Sequence, residues 1–127
     1  MSPEQITGDV HKLGNTTDIY SLGITLYEML AGCLPFPSKD LHEMQKSICN
    51  DIPLRPTEHY PHIPDHIVNA VLKAIEKNPT NRFQTCETFK ETLEWGHNMD
   101  KLNRRISDSE ILQLIRNVML YIKQGNF

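Results

Sequence analysis

Apolar residues recur along most of this chain at the three- and four-residue spacing of α-helices, and no segment alternates as a half-buried strand does. The most informative segment is DIYSLGITLYEMLAG, residues 18–32. Its apolar side chains surround the helix cylinder instead of forming one stripe, which predicts a helix buried from several sides. Gly32 and Pro35 predict its end, and Gly23 within it predicts a close approach by another segment.

Capping residues predict where further helices begin. Ser2 and Gln5 form a capping box with Pro3 at the first helical position, which predicts a short helix at the very start of the chain. Thr16 or Thr17 is expected to cap the central helix. The other predicted helices span residues 39–49 with Ser38 as the cap, residues 65–76, residues 86–95 and residues 107–123.

The segments between these helices are expected to be irregular. Four prolines make residues 51–64 an extended surface loop. Gly96 predicts the end of a helix, and the polar residues 96–106 are interpreted as a linker to a C-terminal amphipathic helix, residues 107–124. That last helix could dock on the rest of the chain, pair with a partner or dimerise, and its broad apolar stripe favours docking. The fold class is therefore all-α.

Composition and charge narrow the class of protein. A chain of 127 residues, 39% hydrophobic, can form one domain with a real core. Its net charge of −3 and its lack of a basic stripe argue against binding to nucleic acid. No segment is apolar and long enough to span a bilayer, and three cysteines without Cys-x-x-Cys spacing suit a reducing compartment. We expect a soluble, cytoplasmic protein that does not associate with membranes.

Three short segments resemble parts of one enzyme family. SPE at residues 2–4 resembles the Ala-Pro-Glu end of the protein kinase activation segment, and DIYSLG at residues 18–23 resembles the start of the central helix of the kinase C-lobe, with Tyr20 where tryptophan is common. NPTNRF at residues 78–83 resembles the turn that carries a late arginine of that lobe. With LPF between them, these segments make residues 1–95 similar to the C-lobe of bacterial-type Ser/Thr protein kinases, from the Ala-Pro-Glu motif onward.

The resemblance implies roles for five residues. Glu4 is expected to pair with Arg82 and fasten the end of the activation segment to the base of the lobe. Asp18 is expected to accept hydrogen bonds from the backbone of the catalytic loop. Met1 and Ser2 are expected to lie beside the acceptor site of the substrate. The resemblance assigns no catalytic, cofactor-binding or metal-binding residue to this chain.

The catalytic motifs of the family are missing from this sequence. Phosphoryl transfer requires a phosphate-covering loop, a lysine, metal ligands and a catalytic aspartate. The sequence contains no Gly-x-Gly-x-x-Gly, Val-Ala-x-Lys, His-Arg-Asp or Asp-Phe-Gly. ATP and Mg²⁺ are cofactors of the parent family, and none is expected for this chain. We therefore expect part of a Ser/Thr kinase domain that is inactive alone; the alternative is a non-catalytic helical module that binds proteins.

The first residue also fits a position inside longer family members, where methionine is frequent. We therefore expect a truncated, split or mis-started gene, or a deliberate fragment. In the family, the missing catalytic segment covers one side of the central helix, and baring half of a 14-residue helix exposes about 300 Å². The sequence thus predicts an exposed apolar face on this helix, called the adhesive face below, which the rest of a kinase domain or another protein would cover.

Three other features of the sequence could suggest chemistry. His59, His62 and His66 could suggest a metal site, but prolines between them spoil a common helical face, and a surface loop is the favoured interpretation. Cys33 and Cys86 could be reactive thiols, and buried small apolar residues are the favoured interpretation. Ser107, in RRIS, is interpreted as a helix cap in preference to a phosphorylation site.

Overall fold

The computed structural model describes residues 1–100 and 107–125, without the side chains of residues 95–100 and 107–112. The described residues form helices, turns and loops and contain no strand, which confirms the all-α prediction. Three short 3₁₀ turns lie between the helices, at Val10–Lys12, Pro56–Glu58 and Pro79–Asn81. The helices are α1 (Pro3–Thr7), α2 (Asn15–Ala31), α3 (Leu41–Asn50), α4 (Asp65–Ala74), α5 (Cys86–Asp100) and α6 (Ser107–Lys123).

Helix α2 is the central element, and eight of its residues are buried. It begins at Asn15, three residues before the predicted start, and Gly14 is its N-cap. The prediction that Thr16 or Thr17 caps this helix is wrong, because the Thr17 hydroxyl lies within the first turn and accepts a hydrogen bond from the Gly14 amide at 3.3 Å. The end is as predicted: Gly32 takes the left-handed conformation, with φ of 76°.

The close approach predicted at Gly23 is made by the end of α4. A Cβ atom at position 23 would lie 2.7 Å from Cγ2 of Ile75 and 2.8 Å from Cβ of Ala74. Only a residue without a side chain lets these two helices come so near. Helix α4 packs one apolar face against α2 and α5, formed by Ile67, Val68, Ala70, Val71 and Ala74.

The open side of α2 differs from the predicted adhesive face. Asp18 and Glu28 are exposed there, and Ser21 and Thr25 between them are half-buried. The Ser21 and Thr25 hydroxyls each donate to a backbone carbonyl one turn earlier in the same helix, at 3.3 and 3.0 Å. Among the large apolar residues of α2, Met29 is exposed. The prediction of a bare apolar face is therefore wrong, because this side of the helix is mainly polar.

Helix α3 begins two residues later than predicted, at Leu41, and its cap is Asp40. Ser38 was expected to cap it, but the carboxylate of Asp40 accepts from the amide of His42 at 2.9 Å, and Ser38 instead accepts from the amide of Asp40 at 3.2 Å. The prediction at Ser38 is wrong because two neighbouring residues could both serve as caps. The carboxylate takes this role, where it also complements the helix dipole.

Lys77 secures the other end of α3. Its ammonium group donates to the carbonyl of Ile48 at 2.6 Å and lies 4.1 Å from the centroid of the Phe36 ring. Burial lowers the pKa of Lys77, partly offset by nearby acidic groups including Asp51. Lys77 thus supplies a donor to a carbonyl in the last turn of α3, where the helix itself provides no amide for it.

The last two helices pack together. Helix α5 continues to Asp100, so the predicted end at Gly96 is wrong; a single glycine costs about 1 kcal/mol in a helix and does not terminate one without a following breaker. The predicted linker, residues 96–106, therefore begins within a helix, and residues 101–106 lie outside the described part. Helix α6 buries Ile115, and its Arg116 lies 3.9 Å from Glu94 of α5. The predicted cap at Ser107 concerns a side chain that lies outside the described part of the structure.

In the described ranges 1–100 and 107–125, no helix has the length and apolar character needed to cross a membrane.

Candidate functional site: a buried ion pair beneath the first helix

The first five residues are held by local hydrogen bonds. The Gln5 amide donates to the Ser2 hydroxyl at 3.3 Å, and the Ser2 amide donates to the Gln5 side chain at 2.8 Å. Pro3 starts the helix, and Gly8 ends it in the left-handed conformation with φ of 72°. This capped turn directs Glu4 inward, and only 3% of Glu4 is exposed.

Arg82 forms a two-pronged ion pair with Glu4. Its two terminal nitrogens donate to the two carboxylate oxygens at 2.7 and 2.9 Å. Both side chains are almost fully buried, and 78 residues separate them in the sequence. The guanidinium fork matches the carboxylate in this geometry, which makes the contact both strong and directional.

The remaining donors of Arg82 bind the backbone. Its Nε donates to the Glu76 carbonyl at 2.7 Å, and its terminal nitrogens donate to the carbonyls of Thr16 at 3.0 Å and Lys77 at 3.1 Å. The side chain thus makes five hydrogen bonds, as many as a guanidinium has N–H groups. Through them, Arg82 joins α1, the start of α2 and the turn after α4.

Two residues of α2 complete this site, and the sequence analysis assigned neither of them to it. The Thr17 hydroxyl donates to Glu4 Oε2 at 2.8 Å. The Tyr20 ring lies under the guanidinium, with Arg82 Cζ 4.8 Å from the ring centroid. Their three-residue spacing places Thr17 and Tyr20 on one face of the helix. No local feature of the sequence shows that this face is the one that contacts the ion pair.

The ion pair shifts the protonation of the carboxylate. Burial alone would raise the pKa of Glu4, but hydrogen bonds from Arg82 and Thr17, together with the positive charge of Arg82, outweigh it and lower the pKa to about 2. Burial raises the pKa of Tyr20 well above its ordinary value. Glu4 is therefore ionised and Tyr20 is neutral at physiological pH.

Acidification from about pH 5 to about pH 2 should remove about 3 kcal/mol of stability through Glu4 alone. The pKa of Glu4 is 4.5 ordinarily and about 2 in the folded chain, so its contribution is complete above pH 4.5 and is lost as the pH falls through 2. Urea unfolding at several pH values measures the effect. Glu4→Gln should flatten the dependence by that amount, and an equal slope in both proteins would contradict the assignment.

Of the other residues singled out by the resemblance, Ser2 is buried, whereas Met1 and Asp18 lie at the surface. Ser2 is fully buried in its capping role, whereas Met1 is 64% exposed and its sulfur accepts from Gln45 of α3 at 3.8 Å. Asp18 is exposed in the first turn of α2, and no hydrogen bond joins its side chain to any described residue. The structure therefore brings Glu4 and Arg82 together and leaves Met1 and Asp18 open.

His59 and His62 lie in the proline-rich loop, but His66 lies in α4 and not in a loop as predicted, and no group of potential metal ligands converges within the described part of the chain. His59 instead contacts Cys33, with 3.5 Å between Nε2 and Sγ. This contact joins two loops and was not predicted.

Comparison with known proteins shows the family of this chain. The model of the family described as the protein kinase domain matches residues 1–115. The chain therefore belongs to the protein kinase domain family. In this helical lobe, a buried carboxylate–guanidinium pair joins two segments.

The relatives narrow the type of kinase. Serine/threonine-protein kinase PknB of Mycobacterium tuberculosis is 35% identical over 98 residues, which cover 77% of this chain and 15% of that protein. Serine/threonine-protein kinase PrkC of Bacillus subtilis is 31% identical over 106 residues, 83% of this chain and 16% of that protein. Hybrid signal transduction histidine kinase G of Dictyostelium discoideum is 35% identical over 94 residues, 74% of this chain and 3% of that protein.

The chain corresponds to part of a bacterial-type Ser/Thr protein kinase domain, as the motifs predict. It spans less than a fifth of the length of these three relatives.

Proposed function

We propose that these residues form the lower part of the catalytic lobe of a Ser/Thr protein kinase, whose reaction transfers phosphate from ATP to a protein hydroxyl. The observation that carries the proposal is the two-pronged contact between Glu4 and Arg82, at 2.7 and 2.9 Å. It anchors the Ser-Pro-Glu segment to the base of the lobe. A segment that must present a substrate hydroxyl needs such an anchor, because small displacements of reacting groups are costly in rate.

The surface beside this anchor is the proposed substrate side. Met1 is exposed and touches Gln45, so the first residue lies next to α3. We assign Met1 and Ser2 to the neighbourhood of the acceptor hydroxyl, and we assign α3 to docking of a protein substrate or partner. Asp18, open in the first turn of α2, is assigned to hydrogen bonds with a catalytic-loop backbone supplied by other residues of a kinase domain.

The residues present do not fit ATP and Mg²⁺. The sequence has no glycine-rich phosphate loop and no Asp-Phe-Gly, and the described residues contain no cluster of metal ligands. We therefore assign neither nucleotide nor metal to this chain by itself. The positions at which a kinase binds them are not among these 127 residues.

The 127-residue chain should transfer no phosphate by itself. Incubation with radiolabelled ATP, Mg²⁺ and a general protein substrate should give incorporation equal to the background without protein, because the groups that bind and orient ATP are missing. A fluorescent ATP analogue should likewise show no saturable binding. Incorporation that depends on this chain, and that disappears in the Arg82→Met variant, would contradict the proposal.

A non-catalytic protein-binding module is the second candidate. The observation that favours it is that the chain's own residues bury the apolar side of α2, where Ile19, Tyr20 and Leu26 are fully buried without any other polypeptide. A lobe that buries its own central helix can fold and bind partners without catalysing a reaction. Joining these residues to the remaining segments of a kinase domain separates the two candidates.

We place the domain in the cytoplasm. The three cysteines of the chain are unpaired in the structure, which suits a reducing compartment. Protein phosphorylation also requires ATP, which is available there.

A further inference from the structure

Cys33 and His59 bring a thiol and an imidazole together on the surface. The two residues are 26 positions apart, and Sγ lies 3.5 Å from Nε2. Cys33 is half-buried and His59 is exposed, so the pair lies at the surface of the protein. Neither the family resemblance nor the ion-pair site involves these residues.

Well-packed neighbours hold both loops in place. Cys33 follows Gly32, the left-handed cap that ends α2, and the Tyr60 ring lies 3.9 Å from where a Cβ on Gly32 would stand. On the other loop, the Tyr27 hydroxyl donates to the Leu54 carbonyl at 2.7 Å, and Pro56 is fully buried. The contact between sulfur and imidazole therefore joins two anchored turns.

We propose that Cys33 and His59 form a thiol-modification site that accepts a low-molecular-weight disulfide. An imidazole next to a thiol can take its proton as the sulfur attacks an electrophile. In the proposed step, Cys33 Sγ forms a bond to one sulfur of the disulfide, and the disulfide's S–S bond breaks. The departing thiolate takes the proton held by His59, so the products are one mixed disulfide and one free thiol.

The other two cysteines provide an internal comparison. Cys49 and Cys86 are also half-buried, but the contact with His59 is made by Cys33. Burial raises the pKa of Cys86, and the neighbouring carboxylates of Glu87 and Asp18 raise it further, so its thiolate is disfavoured. Since all three cysteines are half-buried, exposure alone predicts similar reactivity at the three thiols. The imidazole of His59 predicts a faster reaction at Cys33.

The test measures the rate of mixed-disulfide formation at each cysteine. The 127-residue chain is incubated with oxidised glutathione, quenched with acid at intervals, digested and analysed by mass spectrometry. Cys33 should react about tenfold faster than Cys49 and Cys86. His59→Gln should lower the rate at Cys33 by about tenfold and leave the other two rates unchanged. His62→Gln, at an exposed histidine of the same loop, should change none of the three.

Two results would overturn the proposal: equal rates at the three cysteines, or a rate at Cys33 that His59→Gln does not change. The second would show that exposure, and not the imidazole, makes Cys33 reactive. If His59→Gln unfolded the chain, the rates at all three cysteines would rise. A Cys33→Ser variant therefore provides a second measure of the reaction at Cys33. Its total uptake should fall to that of the two slow sites, and unchanged fast uptake would contradict the assignment. None of these outcomes depends on the proposed kinase function.

Discussion

Replacing Arg82 with methionine should lower the free energy of unfolding by about 3 to 5 kcal/mol. Methionine keeps much of the side-chain volume but leaves the Glu4 carboxylate buried without its partner, and it leaves the carbonyls of Thr16, Glu76 and Lys77 without donors. Urea unfolding at pH 7, followed by circular dichroism at 222 nm, measures the change. It is the largest effect that we expect from any single substitution.

A matched control separates burial from charge. Arg116 also contacts a glutamate, Glu94, but at 3.9 Å, with 51% and 35% of the two side chains exposed. Arg116→Met should therefore cost less than about 1 kcal/mol. If Arg82→Met does not fold, the double variant Glu4→Gln with Arg82→Met should recover part of the stability, since it removes the buried charge. Equal costs at Arg82 and Arg116 would contradict the role given to the buried pair.

Gly23→Ala should destabilise the chain by about 1 to 3 kcal/mol, although alanine is the better helix former by about 1 kcal/mol. The added Cβ would lie 2.7 Å from Ile75 and 2.8 Å from Ala74, so α2 and α4 must separate to admit it. The Ala74 atom is fixed to its backbone and cannot rotate away. Thermal unfolding of the variant should show a lower Tm than that of the unmodified chain.

Ser21→Ala is the control for this experiment, because Ser21 lies in the same helix on its open, mainly polar side. It should change the free energy of unfolding by less than about 0.5 kcal/mol. A Gly23→Ala protein as stable as the Ser21→Ala protein would show that the two helices do not depend on the close approach.

Local signals predicted the parts of the fold that depend on a few neighbouring residues. The capping box at Ser2 and Gln5 and the left-handed cap at Gly32 involve atoms within one turn, and both are present as predicted. Gly23 was also informative, because a glycine inside an apolar helix needs a reason in packing. The all-α class followed from periodicity over the whole chain.

Competition between similar local signals explains the errors. Ser38 and Asp40 could each cap α3, and Thr17 could cap α2 or point into the core; the choice depends on tertiary contacts. Gly96 was interpreted as a terminator, but nothing after it prevents the helix from continuing. The prediction for the open side of α2 is wrong because the number of apolar residues in a helix does not show that its polar residues, Asp18, Ser21, Thr25 and Glu28, share one face.

The long-range part of the site could not be derived from spacing. Glu4 and Arg82 are 78 positions apart, so no local signal links them, and the resemblance alone predicts that they meet. Thr17 and Tyr20 join them only because α2 passes beneath α1 with that face inward. The contact of Cys33 with His59 likewise depends on how two loops pack at the end of α2.

The most direct test of the central claim, that this chain is the lower part of a kinase catalytic lobe, is a chimera. The 98 residues of PknB that match this chain would be replaced by the matching residues of this chain, and ATP-dependent phosphorylation of a protein substrate would be measured. The account predicts phosphate transfer by the chimera and a large loss in its Arg82→Met variant. A chimera that melts cooperatively and binds ATP, yet transfers no phosphate, would contradict the account and favour a non-catalytic binding module.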